Sequence, residues 1–211
     1  MITIRERIDS EIDWVIKETT RLKVIPYKYN LDEEDKNLYL KSVVPMVYAY
    51  LEGFVKKVFT IYFEYVNEKN LEYKDISIKL LVYQLEKKYN CFEEKIKNLD
   101  SKENIINSII KDYQNKNTKM VFNYEKVQNI NYDRLNKILA EMNFSLIDDK
   151  EIKDGLNKLL RFRNGIAHGE NSFNVTNQVL FEFIDIITRT MDIISDIVIE
   201  GYINENYLNK V

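Results

Sequence analysis

Residues 39–65, YLKSVVPMVYAYLEGFVKKVFTIYFEY, decide the fold class. Tyr39, Val43, Met46, Val47, Tyr50, Phe54, Val58, Ile61, Tyr62 and Tyr65 recur at three and four residues, the period of a helix that buries one side. Pro45 interrupts that pattern and predicts either a helix start near Ser42, with the serine as cap, or a kink. Gly53 sits mid-pattern with no turn residues beside it. A mid-helix glycine costs about 1 kcal/mol relative to alanine, so close approach of another backbone or of a ligand is the expected reason for it.

The helical rhythm extends outward in both directions. Ile4, Ile8, Ile12, Val15 and Ile16 form a stripe over residues 3 to about 23, with Trp14 on its flank and a break at Pro26. Asp32, Glu33, Glu34 and Asp35 put negative charge where a helix N-terminus favours it; the run lacks a calcium-loop pattern. Ile76, Ile78, Leu80, Leu81, Tyr83 and Leu85 predict shorter, partly buried segments. Residues of about 88–128 are polar, with Ile105, Ile106, Ile109 and Ile110 as the main apolar cluster. They read as an irregular insertion carrying a short strand at 120–124, too thin in apolar content to build its own core. Asn131 is the expected cap of a short helix through Leu135, Ile138, Leu139 and Met142. Residues 148–151 open the next helix, whose apolar side is Ile152, Leu156, Leu159 and Leu160. Asn174 or Thr176 caps a last helix running to Ile199, with a tail from Tyr202.

With 211 residues, one substantial core suffices, and 1–211 reads as a single domain. Only 5 Gly and 2 Pro leave little punctuation for many short strands, so the fold class is all-α. A net charge of -3 provides no global basic field, and no basic recognition helix stands out, which argues against a sequence-specific DNA-binding protein. One cysteine, Cys91, excludes an intrachain disulfide and reads as a buried small hydrophobe; one Cys and one His argue against a metal site. Charges at Arg5, Glu6 and Arg7 break up any signal peptide, and no run approaches the roughly 20 apolar residues of a membrane span. The expectation is a cytoplasmic protein without a membrane anchor.

Chemistry concentrates in residues 161–170, RFRNGIAHGE, which hold the only histidine. RNA is cleaved without metal when a base takes the 2′-OH proton and the alkoxide attacks the adjacent phosphorus. An imidazole, with an ordinary pKa of about 6.5, suits the base or acid. A guanidinium suits the non-bridging oxygens. His168 and Arg163 supply these groups, and Asn164 can bond the phosphate or fix the histidine tautomer. Arg161 is a second candidate for the cation. On an ideal helix five residues turn a side chain by about 500°, so Arg163 and His168 diverge by about 140°. Gly165 and Gly169 are expected to loosen the helix and let them converge; an unbroken helix through His168 counts against the pair. The structural alternative is that His168 caps a helix C-terminus, with Gly169 as terminator. The 15 tyrosines and 10 phenylalanines lie mostly at helical spacing and read as packing rather than base-stacking platforms.

Residues 163–170 resemble the R-x(4–6)-H motif of HEPN domains, in the form with Asn directly after Arg. Residues 48–56, YAYLEGFVK, resemble the early helix of the MAE-type branch, and 127–131, VQNIN, a segment that branch carries before its catalytic helix. The similarity spans most of the chain. It implies an up-and-down helical bundle that dimerises to bring two motifs across one cleft. It also implies a metal-independent endoribonuclease without cofactor, a toxin or anti-phage defence effector with an antitoxin or defence-system partner protein. Carried over by position, His168 is base or acid, Arg163 the phosphate-binding cation, Asn164 orients the site and Glu52 is a polar helper. Lys56, Lys57, Lys158 and Arg161 are the candidate RNA-binding cations near it. The competing expectation is a non-catalytic HEPN-like module binding a nucleotide or a partner protein.

Overall fold

The computed structural model describes residues 2–89, 99–113 and 119–210. Among them are seven α-helices: α1 (Ile4–Lys28), α2 (Glu33–Asn67), α3 (Ile78–Tyr89), α4 (Leu99–Tyr113), α5 (Tyr132–Glu141), α6 (Lys150–Ala167) and α7 (Asn177–Ile203). The all-α expectation holds. Helices α1, α2 and α7 pack mutually, α6 lies against α2 and α7, and α5 packs on α6 and α3.

Local chemistry accounts for the helix starts. Thr3 and Glu6 form a reciprocal capping box on α1. Asp32 accepts from the Glu34 and Asp35 amides, so the acidic run opens α2 as its charge suggested. Asn131, Asp149 and Thr176 cap α5, α6 and α7 through the Arg134, Ile152 and Val179 amides.

Both prolines lie inside helices, contrary to the break expected at Pro26 and to the alternative of a helix start near Ser42. α1 continues through Pro26 to Lys28. A proline there deprives the carbonyl four residues back of its amide donor. That carbonyl, of Leu22, instead receives the Tyr39 hydroxyl at 2.9 Å. α2 likewise runs unbroken past Pro45, and Ser42 is no cap: its hydroxyl donates back to the Tyr39 carbonyl at 2.7 Å.

Three further expectations are corrected. No strand forms at 120–124; the described residues contain only an isolated antiparallel bridge between Ile76 and Leu208. Met120, Phe122 and Val127 are buried in the main core, so this end of the expected insertion belongs to the core. Asn67 fixes Met120 through both its amide and its carbonyl, and the Tyr83 hydroxyl accepts from the Asn123 amide. Residues 90–98, with Cys91, and 114–118 lie outside the described residues. The tail from Tyr202 does not trail: α7 extends to Ile203, Tyr207 is buried, and backbone bonds join Ser77 to Tyr207 and Asn209 to Asp75. No helix among the described residues is long and apolar enough to cross a membrane.

Candidate functional site

α6 presents Arg163 toward α2. Its buried positions, Ile152, Leu156 and Leu159, fasten it to the core, and Arg163 lies one turn beyond Leu159. The guanidinium carbon sits 4.9 Å from the ring centroid of Tyr48, which is buried in α2. A cation over an aromatic face is worth about 0.5–2 kcal/mol. Arg163 Nη1 donates to Asn164 Oδ1 at 2.8 Å and to Asn129 Oδ1 at 3.2 Å.

The segment that brings Asn129 there is tied to α2 twice. Glu52 Oε1 accepts from the Asn129 amide at 3.1 Å, and the Tyr48 hydroxyl donates to the Ile130 carbonyl at 3.0 Å. Tyr48 and Glu52 are one helical turn apart and share a face of α2. Burial, reinforced by the Glu52 carboxylate, pushes the Tyr48 hydroxyl well above the usual phenol range; Arg163 and the Ile130 bond oppose this. Tyr48 therefore stays a neutral donor at physiological pH.

His168 is placed differently. α6 runs regularly to Ala167, and His168 is its C-cap, with φ -90° and ψ 4°. Its amide donates to the Asn164 carbonyl at 3.0 Å. Gly169 adopts φ 78°, with Gly169 and Glu170 amides returning to the Ile166 and Gly165 carbonyls. This pattern is a glycine-terminated Schellman cap. The expected loosening at Gly165 is absent. Gly165 is buried because a Cβ there would meet the Phe173 ring at 1.9 Å, so the glycine admits the returning chain. With the helix intact, Arg163 and His168 diverge by about 140° within one chain. His168 is exposed to solvent.

The remaining candidates distribute unevenly. Asn164 is half-buried and serves Arg163 directly. Glu52 is beside the site as expected but acts through the Asn129 backbone. Lys56, half-buried, follows Glu52 by one turn on α2. Lys57 faces α1 and pairs with Glu11 at 3.6 Å. Lys158 pairs with Glu182 at 3.0 Å and lies over the Phe183 ring. Arg161 is exposed, its guanidinium 5.9 Å from the Phe162 ring centroid. Gly53 is exposed, with nothing within 4 Å of a Cβ placed there. The close approach expected of it is not made within the described residues of this chain.

A cleft of about 590 Å³ adjoins the site and shares Asn129 with it. Its walls include Asn131, Arg134 and Lys126; the last is held between Glu86 at 3.0 Å and Glu141 at 2.6 Å. Among the described residues, no three His, Cys, Asp or Glu side chains gather in a metal-binding group. Sequence reasoning missed Tyr48 and Asn129 as site residues. Their signals were present in the resembling stretches 48–56 and 127–131, but carried no chemistry by themselves.

Comparison with known families shows a match over residues 10–200 to the family described as RiboL-PSP-HEPN. Neither the curated proteins nor the solved structures yielded a match.

Proposed function

Because the chain belongs to the RiboL-PSP-HEPN family, we propose that it is a metal-independent endoribonuclease in which Arg163 binds the scissile phosphate and His168 transfers protons. The observation that carries this reading is the state of Arg163. Its Nη1 is held by two carboxamide oxygens and its face lies on Tyr48. Among the described residues this leaves the Nε and Nη2 edge for the paired oxygens of a phosphate.

In the reaction, a histidine takes the 2′-OH proton as the oxygen attacks phosphorus. The bond to the 5′-oxygen breaks, and a protonated histidine returns a proton to that leaving group. The products are a 2′,3′-cyclic phosphate and a free 5′-OH. Arg163 offsets charge on the non-bridging oxygens. In this reading a homodimer brings two copies of Arg163 and His168 to one cleft, so that one histidine acts as base and the other as acid. The 590 Å³ cleft beside Asn129 offers room for a neighbouring nucleotide. A role as a toxin or anti-phage effector, restrained by an antitoxin or defence-system partner, follows from the same family reading.

The test is incubation of wild type, Arg163→Ala and His168→Ala with mixed single-stranded and structured RNA in EDTA, reading product ends for cyclic phosphate. Cleavage by wild type alone is expected. Retained cleavage by purified His168→Ala would overturn the assignment. The solvent-facing cap position of His168 supports a second reading, a non-catalytic module binding a nucleotide or protein. That reading predicts no cleavage by wild type and a lowered melting temperature for His168→Ala.

A further inference from the structure

We propose that Asn129 is a positioning residue whose side chain sets the orientation of the Arg163 guanidinium toward phosphate; this rests on the ribonuclease reading above. Asn129 adopts φ 52°, the left-handed region. Asn30, Asn70 and Asn143 share that conformation, but each follows the end of an α-helix, where a left-handed residue is an ordinary terminator. Asn129 ends no α-helix. It follows the short 3-10 turn Tyr124–Val127, and its amide is held by Glu52.

Those neighbours converge on one turn of α2. Glu52 holds the Asn129 amide, Tyr48 holds the Ile130 carbonyl, and Ile130 itself is buried. The chain between these anchors is forced to project the Asn129 carboxamide at Arg163, 34 residues away in sequence. The same Tyr48 ring forms the surface on which the guanidinium lies. One turn of α2 thus sets both the plane of Arg163 and the acceptor at its edge. Nη1 has two protons in the guanidinium plane, and Asn164 and Asn129 take both. Rotation about the Cζ–Nε bond would break both bonds, so the Nε–Nη2 edge faces a fixed direction. Asparagine suits this position for two reasons: it tolerates the left-handed region, and its oxygen holds a cation without neutralising it.

The test compares Asn129→Gly with Asn129→Asp. Glycine keeps the left-handed backbone and the Glu52 bond and removes only the acceptor; aspartate retains an acceptor. Two readouts are taken on the full chain: RNA cleavage kinetics and the NMR signature of hindered rotation at the Arg163 guanidinium. The glycine variant should melt as wild type does, show faster guanidinium rotation because only the Asn164 bond still holds Nη1, and lose roughly 10- to 100-fold in kcat through misplacement of the cation. The aspartate variant should keep the hindered rotation, with a raised KM for the polyanion. Wild-type kcat with unchanged hindered rotation in Asn129→Gly would overturn the proposal, as would free rotation at Arg163 in the wild type. Should wild type cleave no RNA, the ribonuclease reading fails, and the rotation measurement still decides whether Asn129 positions Arg163.

Discussion

Arg163 rests on Tyr48, with its guanidinium carbon 4.9 Å from the phenol centroid. Tyr48 is 1% exposed and is tethered through its hydroxyl to the Ile130 carbonyl, so the ring is part of the core and cannot follow the arginine. The cation is thereby referenced to the bundle, while its outer edge stays available. A long side chain on the protein surface would otherwise lose about 1.5–2 kcal/mol of rotamer freedom on binding a ligand. Much of that cost is met in the folded protein before any phosphate arrives.

Arg163→Lys should behave nearly as badly as alanine in cleavage. An ammonium cannot present two in-plane donors to the asparagine oxygens while lying flat on a ring. A loss of about 100-fold or more in kcat/KM is expected, with an unchanged circular dichroism melt. Cleavage within a few fold of wild type would show that charge alone suffices.

Gly165→Ala should destabilise the protein. The added Cβ would meet Phe173 at 1.9 Å, and Phe173 is wedged against Phe162 with ring centroids 4.8 Å apart. The ring must move, at a cost of about 1–3 kcal/mol that exceeds the gain in helix propensity of about 1 kcal/mol. Urea denaturation reads the difference as a lower midpoint.

Gly53→Ala should do the opposite. The position is exposed, inside α2, and has open space where the alanine Cβ would sit. A gain of about 1 kcal/mol is expected from helix propensity. Thermal melting and cleavage are measured on the same preparation. A protein that is more stable yet inactive would place this face of α2 against RNA or a second copy in the active assembly.

Tyr62→Phe should stabilise the fold and change its response to alkali. The Tyr62 hydroxyl is buried with no hydrogen-bond partner among the described residues, and removing it relieves about 1 kcal/mol. Burial also pushes its ionisation far above the ordinary phenol value, with Tyr207 and Tyr202 adding to the shift. The unfolded chain releases this proton near pH 10 while the folded chain keeps it. Stability is therefore fully present below about pH 10 and is lost as pH rises beyond it. Tyr48 and Tyr83 are raised in the same direction, chiefly by burial. Urea midpoints between pH 8 and 11 should fall less steeply for Tyr62→Phe than for wild type.

Helices and their beginnings were legible in the amino-acid sequence because they depend on neighbours a few residues away. The periodicity of residues 39–65, the acidic opening at Asp32 and the asparagine cap at Asn131 all became what their local chemistry indicated. Placing Arg163, Asn164 and Gly165 near the end of one helix was possible for the same reason, whereas the regular helix to Ala167, with His168 as its C-cap, went against the expected loosening. Pro26 misled because its cost is offset at a distance: Tyr39 supplies the donor that the helix loses there. The strand expected at 120–124 failed similarly, since Asn67, Tyr83 and Gln84 satisfy that backbone with side chains instead of a neighbouring strand. Gly165 looked like a hinge, but Phe173 made it a contact. Which segments coil, and which residues carry cation, carboxamide and imidazole, could be read along the chain because those properties are local. That Tyr48 and Asn129 hold Arg163 could not, since α2, the segment before α5, and α6 meet there through packing of the core.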